Sequence, residues 1–398
     1  MHCTREIAPS VHWVGASDRR LALFENMFPI PDGVSYHSYL ILDDKTALID
    51  TVDSSVTRQF LENVEWVLDG RPLDYLVINH MEPDHCANIE ELCFRYPDMK
   101  IVGNTKTFQM IRQFYHFDTD NRTLEVKEKE ELILGRHLLR FYMTPMVHWP
   151  EVMMTYEISE KILFSADAFG SFSASPNLFA DEVDFETDYL SEARRYYTNI
   201  VGKYGAQVQA ALKKLSAETI SMICPLHGFI WRQNLGCILE KYQHWSNYEP
   251  EAPGVVLVYA SMYGNTENAV NVLASRLAGL GVRNLNVYDV SKTHPSYIIA
   301  SAFRFSHLVF ACPTYNNGLY FAMESFLTEL LSLNLQNRKV ALIGNGSWAP
   351  TAGKVMKALL EEPGRFELLN NAFEIRSSLR QDQLAELDSL ADIIHKTM

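Results

Sequence analysis

The spacing of apolar residues changes along the chain and predicts its elements. In the first fifty positions, turn residues separate short β-type runs at 12–14, 36–42 and 47–50. The segment 56–68 then places Phe60, Leu61 and Val64 on one face of a helix, since residues three and four apart share a helical face. An apolar run at 75–79 follows. Strands and helices therefore interleave in this part of the chain.

The same alternation of strands and helices continues until the composition of the sequence changes near position 250. Further strands are predicted at 138–143, 152–158, 162–165 and 221–224. A mainly helical stretch lies at 189–215, and a Pro-rich connection at 248–254 marks a domain boundary. We predict a first domain, residues 1–250, of α+β class with αββα layers.

The second domain, residues 251–398, shows a regular β-α alternation. Its predicted strands lie at 255–259, 285–288, 308–311 and 340–343. Helical spacers separate these strands, and an amphipathic helix at 381–395 closes the chain. This alternation predicts an α/β domain, a doubly wound parallel sheet with helices on both faces.

The amino-acid composition and net charge of the chain exclude some classes of binding partner. The chain has 398 residues, 47% of them hydrophobic, which is enough for two domains with separate cores. Its net charge of −14 argues against nucleic acid or an anionic membrane as the main partner, because both would repel this surface. The amino terminus lacks the apolar segment of a signal peptide, and no run of about 18 apolar residues that could span a membrane follows it. We expect a cytoplasmic protein.

Six scattered cysteines, none in a Cys-x-x-Cys pair, exclude a rubredoxin-type iron site or a ferredoxin-type cluster on this chain. We expect reduced thiols that pack as small hydrophobic side chains.

A dense group of potential metal ligands follows the strand at 75–79. His80, Glu82, Asp84 and His85 lie within six residues, a cluster that is costly unless a cation organises it. Three further ligand-type residues occupy loop positions: His148, Asp167 and His227. Alone, His148 or His227 would be read as a core or surface histidine and Asp167 as a capping residue. Together the seven are enough for two metal ions if Asp167 bridges them.

Three loops of the second domain leave predicted strand ends and are candidates for binding a phosphorylated ring. Backbone N–H groups of the first loop lie at the start of a helix, where they can surround a phosphate. Tyr315 and Trp348 are expected to cover the faces of the ring, although both fit ordinary aromatic turns as well. The loops comprise Ser261, Met262, Tyr263, Gly264, Asn265 and Thr266; Pro313, Thr314, Tyr315, Asn316, Asn317 and Gly318; and Gly344, Asn345, Gly346, Ser347 and Trp348. They resemble the loops of a flavodoxin-like domain, which implies FMN.

The order of the seven ligand-type residues resembles the metallo-β-lactamase-like domain of the flavodiiron proteins. The resemblance extends over the whole chain and includes the segments 36–41 and 47–52. It implies that one iron is held by His80, Glu82 and His148, and the other by Asp84, His85 and His227, with Asp167 as the bridge. Hydrolytic zinc relatives commonly have histidine where this chain has Glu82, and the carboxylate favours iron.

The resemblance also implies an activity and partners. FMN would accept electrons from an external donor, such as a rubredoxin-like protein, another reductase or a reduced deazaflavin. The di-iron centre would use them to reduce O2 to water, NO to N2O, or both. A head-to-tail homodimer, or a dimer of such dimers, is expected, with Trp149 and Trp348 as candidates to line its junction or as core residues. Tyr196 and Tyr197 are candidate neighbours of the metal ligands, or packing residues of their helix.

Two other functions remain open from the residues. A binuclear zinc hydrolase with a flavodoxin-like scaffold would contain zinc, which cannot change oxidation state. A flavin carrier with a purely structural metal domain would consume neither O2 nor NO. Metal analysis and a gas-consumption assay distinguish these alternatives from a reductase.

Overall fold

A computed structural model describes residues 2–119 and 121–398 of the chain. The described residues form two compact units, one ending at Gln243 and the other beginning at His244. This division lies just before the Pro-rich connection at 248–254. Among the described residues, no helix is both long enough and apolar enough to cross a membrane.

The first unit contains two main sheets. Its strands are β1 (Arg5–Ala8), β2 (Val11–Trp13), β3 (Ala16–Asp18), β4 (Leu23–Phe24), β5 (Phe28–Pro29), β6 (Val34–Tyr36), β7 (Tyr39–Ile41), β8 (Ala47–Ile49), β9 (Tyr75–Val77), β10 (Lys100–Gly103), β11 (Thr123–Glu125), β12 (Glu131–Ile133), β13 (Leu138–Met143), β14 (Met153–Glu157), β15 (Ile162–Phe164) and β16 (Met222–Cys224). One sheet has the order β1-β2-β7-β8-β9-β10-β11 and the other the order β12-β13-β14-β15-β16.

The two sheets share one buried core, as the predicted αββα layering requires. Tyr39 and Ile49 from the first sheet belong to the same apolar cluster as Phe141 and Phe164 from the second. The helices of this unit are α1 (Thr57–Leu68), α2 (Pro83–Cys86), α3 (Ile89–Arg95), α4 (Thr105–Phe114), α5 (Phe185–Asp188), α6 (Leu190–Tyr196), α7 (Gly205–Leu215) and α8 (Leu235–Ser246), the last of which continues past Gln243.

Two predicted elements of this unit are less regular than expected. The run at 36–42 is not one strand, because the chain bends at His37, whose N–H donates to Leu226 O (2.8 Å). β6 therefore pairs with β3 in a separate two-stranded sheet, while β7 joins the large sheet. The helical stretch at 189–215 is interrupted by a π-helical segment (Tyr197–Val201) and a short 3-10 segment (Gly202–Tyr204).

The second unit has the doubly wound architecture that its sequence predicts. Its strands are β17 (Ala252–Tyr259), β18 (Leu285–Asp289), β19 (Phe305–Tyr315), β20 (Gly318–Leu319), β21 (Arg338–Asn345), β22 (Phe366–Leu368) and β23 (Phe373–Ile375). Its helices are α9 (Asn265–Gly279), α10 (Pro295–Arg304), α11 (Phe321–Ser332), α12 (Ala352–Leu360) and α13 (Leu384–Lys396).

The main sheet of the second unit has the order β18-β17-β19-β21-β22, with all of these neighbours parallel. Val256 and Val258 of β17 pack with α10 to α12, whereas Val255 and Leu257 pack with α9 and α13. Because alternate side chains of a strand point to opposite faces, helices cover both faces of this sheet. The loops after β17, β19 and β21 thus leave the same edge of the sheet.

Candidate metal centre and flavin cradle

The first group of metal-type side chains comprises His80, Glu82, His148 and Asp167. The Nε2 atoms of His80 and His148 lie 3.2 and 3.1 Å from the same oxygen, Glu82 Oε2. His148 Nε2 is also 3.1 Å from Asp167 Oδ2. Four donor atoms therefore converge on one point, and all four residues are nearly inaccessible to solvent.

The second group comprises Asp84, His85 and His227. The two imidazole Nε2 atoms lie 2.9 Å apart, and each is 3.3 Å from Asp84 Oδ2. The family resemblance implied that these residues hold one ion, and the structure brings all three together.

Asp167 lies between the two groups and presents a different oxygen to each. Its Oδ2 faces His148 and His80 at 3.1 and 3.5 Å, and its Oδ1 faces His85 and His227 at 3.1 and 3.8 Å. A carboxylate that presents one oxygen to each of two ligand groups has the geometry expected of a bridge between two ions.

Tight turns after strand ends position these ligands. His80 and Glu82 follow β9, and Pro83 begins the short helix α2, which carries Asp84 and His85. Pro is well suited to the first position of a helix because its fixed φ fits and its missing N–H is not needed there.

The turns that carry Asp167 and His227 rely on left-handed backbone conformations. Ala166 and Phe169 flank Asp167 with φ of 51° and 70°. Gly228, directly after His227, has φ +82°, and a Cβ there would lie 2.1 Å from Ser171 Oγ. Only glycine therefore fits at position 228 without displacing the neighbouring chain.

The chemistry of the donor set fits two cations. Both carboxylate oxygens of Asp84 are buried and have no hydrogen-bond partner among the described residues, which is costly unless a cation binds them. Donor atoms around a metal with bonds of about 2.1 Å should be about 3.0–3.4 Å apart, as most of these atoms are. Burial opposes a charge on Asp167, but the surrounding imidazoles hold the pKa of its carboxyl well below the usual range.

Two groups outside the ligand set hold the imidazole rings in orientation. Glu151 is buried, and its Oε1 accepts hydrogen bonds from His80 Nδ1 and Met81 N, both at 2.8 Å. His227 Nδ1 donates to the Ser35 carbonyl oxygen, also at 2.8 Å. Both contacts direct the Nε2 lone pair of the histidine into the site. Sequence reasoning missed both, although Glu151 lies only three residues after His148.

Aromatic side chains enclose the His227 side of the site. The rings of Phe24, Tyr36 and Tyr196 contact the His227 ring at centroid distances of 5.2, 5.6 and 5.5 Å. Tyr196 is fully buried, and burial raises the pKa of its phenol well above the usual range. Tyr197, by contrast, packs against Tyr242 with ring centroids 4.9 Å apart. Of the two tyrosines that the sequence singles out, Tyr196 is the one beside a metal-type residue.

The second unit presents a cavity of about 330 Å³ at the edge where its three predicted loops meet. Thirteen of the seventeen predicted positions line it: Ser261, Met262, Tyr263, Asn265, Thr266, Pro313, Thr314, Asn316, Asn317, Asn345, Gly346, Ser347 and Trp348. Ala349 and Ser377 also line it and were not anticipated. Asn345 Nδ2 donates to Thr266 Oγ1 (3.2 Å) and to Ser377 O (3.1 Å), which ties these loops together.

The other four predicted positions lie elsewhere. Tyr315 and Gly264 line a neighbouring cavity that shares Ser261 to Tyr263 with the first. Tyr315 packs edge-on against Phe321 with ring centroids 5.2 Å apart, because β19 extends to Tyr315 and carries the side chain away from the first cavity. Gly318 and Gly344 line neither cavity. Trp348 is 91% exposed and is free of dense packing.

Comparison with known proteins extends over nearly the whole chain. A family model described as "ODP family beta lactamase" matches residues 34–228, and a flavodoxin model matches residues 257–378. A protein named anaerobic nitric oxide reductase flavorubredoxin from Vibrio vulnificus is 31% identical over 384 residues, which are 95% of this chain and 76% of that protein. The chain belongs to the flavodiiron protein family.

Solved structures of family members have the same fold. The rubredoxin oxygen:oxidoreductase from Desulfovibrio gigas matches with a TM-score of 0.94 and 29% identity, over 99% of this chain and 98% of the other. The flavodiiron protein from Giardia intestinalis matches with a TM-score of 0.93 and 25% identity, over 100% and 97% of the two chains.

Family membership confirms several expectations for this flavodiiron protein. They are the pairing of a metallo-β-lactamase-like domain with a flavodoxin-like domain, the oxidoreductase class, and FMN and a di-iron centre as cofactors. The individual ligand and flavin contacts, the limits of the domains, the dimer and the cytoplasmic location stay predictions. All six cysteines lie among the described residues and carry free thiols.

Proposed function

We propose that this flavodiiron protein reduces O2 to water, NO to N2O, or both, at a di-iron centre held by the seven residues described above. The observation that carries the proposal is the position of Asp167, which offers one carboxylate oxygen to each of two ligand groups. When bound, iron and FMN supply the electron transfer that protein side chains alone cannot perform. The relatives named nitric oxide reductase and oxygen oxidoreductase support both substrates.

Each ligand group would hold one ion. His80, Glu82 and His148 would bind the first, and Asp84, His85 and His227 would bind the second. Each group supplies two imidazoles and one terminal carboxylate, so positions remain open for a small ligand. Glu82 supplies negative charge that a third histidine would not, and this favours the ferric state.

Other side chains control the surroundings of that open space. Phe24 and Tyr36 place apolar rings around His227 and exclude water from that side. The Tyr196 hydroxyl is buried with no hydrogen-bond partner among the described residues. An O–H group in this state beside the ligand groups is suited to donate a hydrogen bond to a bound oxidant.

The flavin is held in the cavity of the second unit. α9 begins at Asn265, after Gly264 with φ +88°, so its first N–H groups are available to a phosphate. The side chains of Ser261 and Thr266 line the same cavity and add hydroxyl groups. Exposed Trp348 is placed to cover one face of a ring.

Assembly, donor and location rest on family resemblance. We propose a head-to-tail homodimer, or a dimer of such dimers, that acts in the cytoplasm. An external donor, such as a rubredoxin-like protein, another reductase or a reduced deazaflavin, delivers electrons to FMN. The six cysteines of this chain include no Cys-x-x-Cys pair for an iron site of the rubredoxin type.

Anaerobic stopped-flow tests the proposal. The purified protein is assayed for metal, reduced with dithionite and mixed separately with O2 and NO while the flavin absorbance is followed. Rapid flavin reoxidation by either gas, with two irons per chain, supports the proposal and ranks the substrates. Zinc in the site, no oxidation by NO and only sluggish oxidation by O2 would refute it and favour a hydrolase.

A further inference from the structure

A short hairpin covers the metal centre without belonging to either main sheet. This cover hairpin, residues 23–29, consists of β4 and β5, which pair only with each other among the described strands. Met27 N donates to Phe24 O (2.9 Å), and Ile30 N donates to Ala22 O (3.1 Å). At its tip, Glu25 and Asn26 have φ of 50° and 54°, a conformation that is uncommon for glutamate. The ladder that holds the hairpin together is thus short.

A side chain of the cover hairpin reaches the second ligand group. Phe24 is 3% exposed and meets the His227 ring edge-on at 5.2 Å, with an interplanar angle of 88°. The hairpin therefore places an aromatic ring directly against one of the ligand residues.

A buried arginine fixes the base of this hairpin. Arg195 of α6 has a side chain that is 1% exposed, and its guanidinium donates to the Pro29 carbonyl oxygen at 2.9 Å. The same guanidinium pairs with Glu192 (2.6 Å) and lies 4.4 Å above the ring of Phe172. Phe172 in turn contacts Phe24 with ring centroids 5.4 Å apart. A continuous series of contacts thus leads from Arg195 to the side chain against His227.

We propose that Phe24 determines the size of ligand that reaches the His227 side of the metal centre, and that Arg195 is the residue that positions it. The inference deepens the proposed function and rests on it, because it concerns access to the same centre. On this inference we expect the Phe24 ring to admit diatomic molecules and small linear anions and to exclude ligands that carry a bulky group. Arg195 acts through its contacts with Phe172 and Pro29.

The test uses the iron-loaded, FMN-containing protein and two anions of different size. Azide and benzoate are titrated into the oxidised protein, and binding is followed in the visible spectrum of the iron. Phe24→Ala leaves a space of phenyl size, so its affinity for benzoate relative to azide should rise about tenfold. Arg195→Lys keeps the charge but loses the planar group that stacks on Phe172, and should shift the same ratio in the same direction.

A second arginine that stacks on a phenyl ring serves as the matched control. Arg232 lies 3.6 Å above the ring of Phe179 and pairs with Asp181 (3.0 Å). Among the described residues it makes no hydrogen bond, ion pair or ring contact with the cover hairpin. Arg232→Lys should leave the benzoate-to-azide ratio within twofold of the parent. An unchanged ratio in Phe24→Ala, or an equal rise in Arg232→Lys, would overturn the proposal.

Hydrogen exchange of the metal-free protein separates this inference from the metal assignment. Arg195→Lys should speed amide exchange at Met27 and Ile30 about tenfold, even if no ion is bound. If the protein cannot bind iron, that failure refutes the metal centre. Faster exchange in Arg195→Lys would still uphold the positioning role. Unchanged exchange would refute the positioning role. Phe24→Leu repeats the anion test if Phe24→Ala does not fold, and an unchanged ratio in that variant would also overturn the proposal.

Discussion

Glu151 provides a sharp test of how the metal centre is organised, because it touches the ligand His80 without being a ligand. Its Oε1 accepts from His80 Nδ1 and from Met81 N at 2.8 Å each, while its Oε2 is buried and has no hydrogen-bond partner among the described residues. In Glu151→Gln the amide oxygen can still accept from both donors. The negative charge behind the imidazole is lost, and an NH2 group without an acceptor takes the place of Oε2.

The expected cost follows from this single contact. A hydrogen bond to a charged group contributes about 1.5–3 kcal/mol, and loss of a partner behind a metal-bound histidine commonly lowers affinity about 10- to 100-fold. These two ranges agree, since a factor of ten corresponds to about 1.4 kcal/mol. We expect Glu151→Gln to weaken the ion held by His80, Glu82 and His148 by about 10- to 100-fold and to leave the other ion much less affected.

Anaerobic competition with a chromogenic chelator measures the affinity of each ion. Glu157→Gln is the matched control, because Glu157 is also buried, accepts from His137 Nδ1 at 3.0 Å and from two backbone N–H groups, and is not among the metal-type residues. If Glu151→Gln retains iron as tightly as the parent, or loses no more affinity than Glu157→Gln, then the contact with Glu151 does not support the metal site.

Three further predictions concern the bridge, the flavin and pH. Asp167→Asn should reduce the iron content to one ion or fewer per chain, because one neutral amide cannot replace a shared carboxylate; retention of both ions in metal analysis would contradict the bridge. Asn345→Leu removes the hydrogen bonds to Thr266 and Ser377 and should weaken FMN binding at least tenfold, as measured by recovery of flavin fluorescence, with an unchanged affinity as the contrary result. Burial lowers the pKa of His307 to about 4, below the value of about 6.5 in the unfolded chain, so the unfolded state takes up the proton first. The contribution of His307 to the free energy of unfolding is therefore fully present above about pH 6.5 and is lost as the pH drops toward 4. The loss is about 1–2 kcal/mol after allowance for solvent screening. Urea unfolding followed by flavin fluorescence should show this loss, and His307→Gln should reduce it; an equal loss in the variant would assign it to other groups.

The metal centre was accessible to sequence reasoning because its ligands have distinctive chemistry. His80, Glu82, Asp84 and His85 form a dense motif, and His148, Asp167 and His227 are ligand-type residues in loop positions. The resemblance then divided the seven between two ions. The structure brings all seven into two adjoining groups. Glu151 was missed because a buried carboxylate that supports a ligand has no spacing signature of its own.

Tertiary placement explains where sequence reasoning was less accurate. Tyr315 was expected over the flavin because it follows a predicted strand. It lies at the end of β19, which extends beyond the predicted 308–311, and it lines the cavity next to the one where most predicted loop residues meet, so its flavin contact stays a prediction. The bend at His37 was missed because it depends on a hydrogen bond to Leu226, far along the chain. Residues such as Phe24 and Arg195 gain their roles only from contacts between distant segments.

The separation of the ligands along the chain has a consequence for the order in which the centre is assembled. His85 and His227 lie 142 residues apart, yet their Nε2 atoms are 2.9 Å from each other. The turn that carries His227 is synthesised last and follows β16, which pairs in parallel with β15, the strand that precedes Asp167. Closing so long a loop is slow and must precede any gain from the contacts it forms. The complete set of seven ligands therefore exists only after β15 and β16 have paired, and we expect full iron loading to follow the pairing of these strands rather than to precede it.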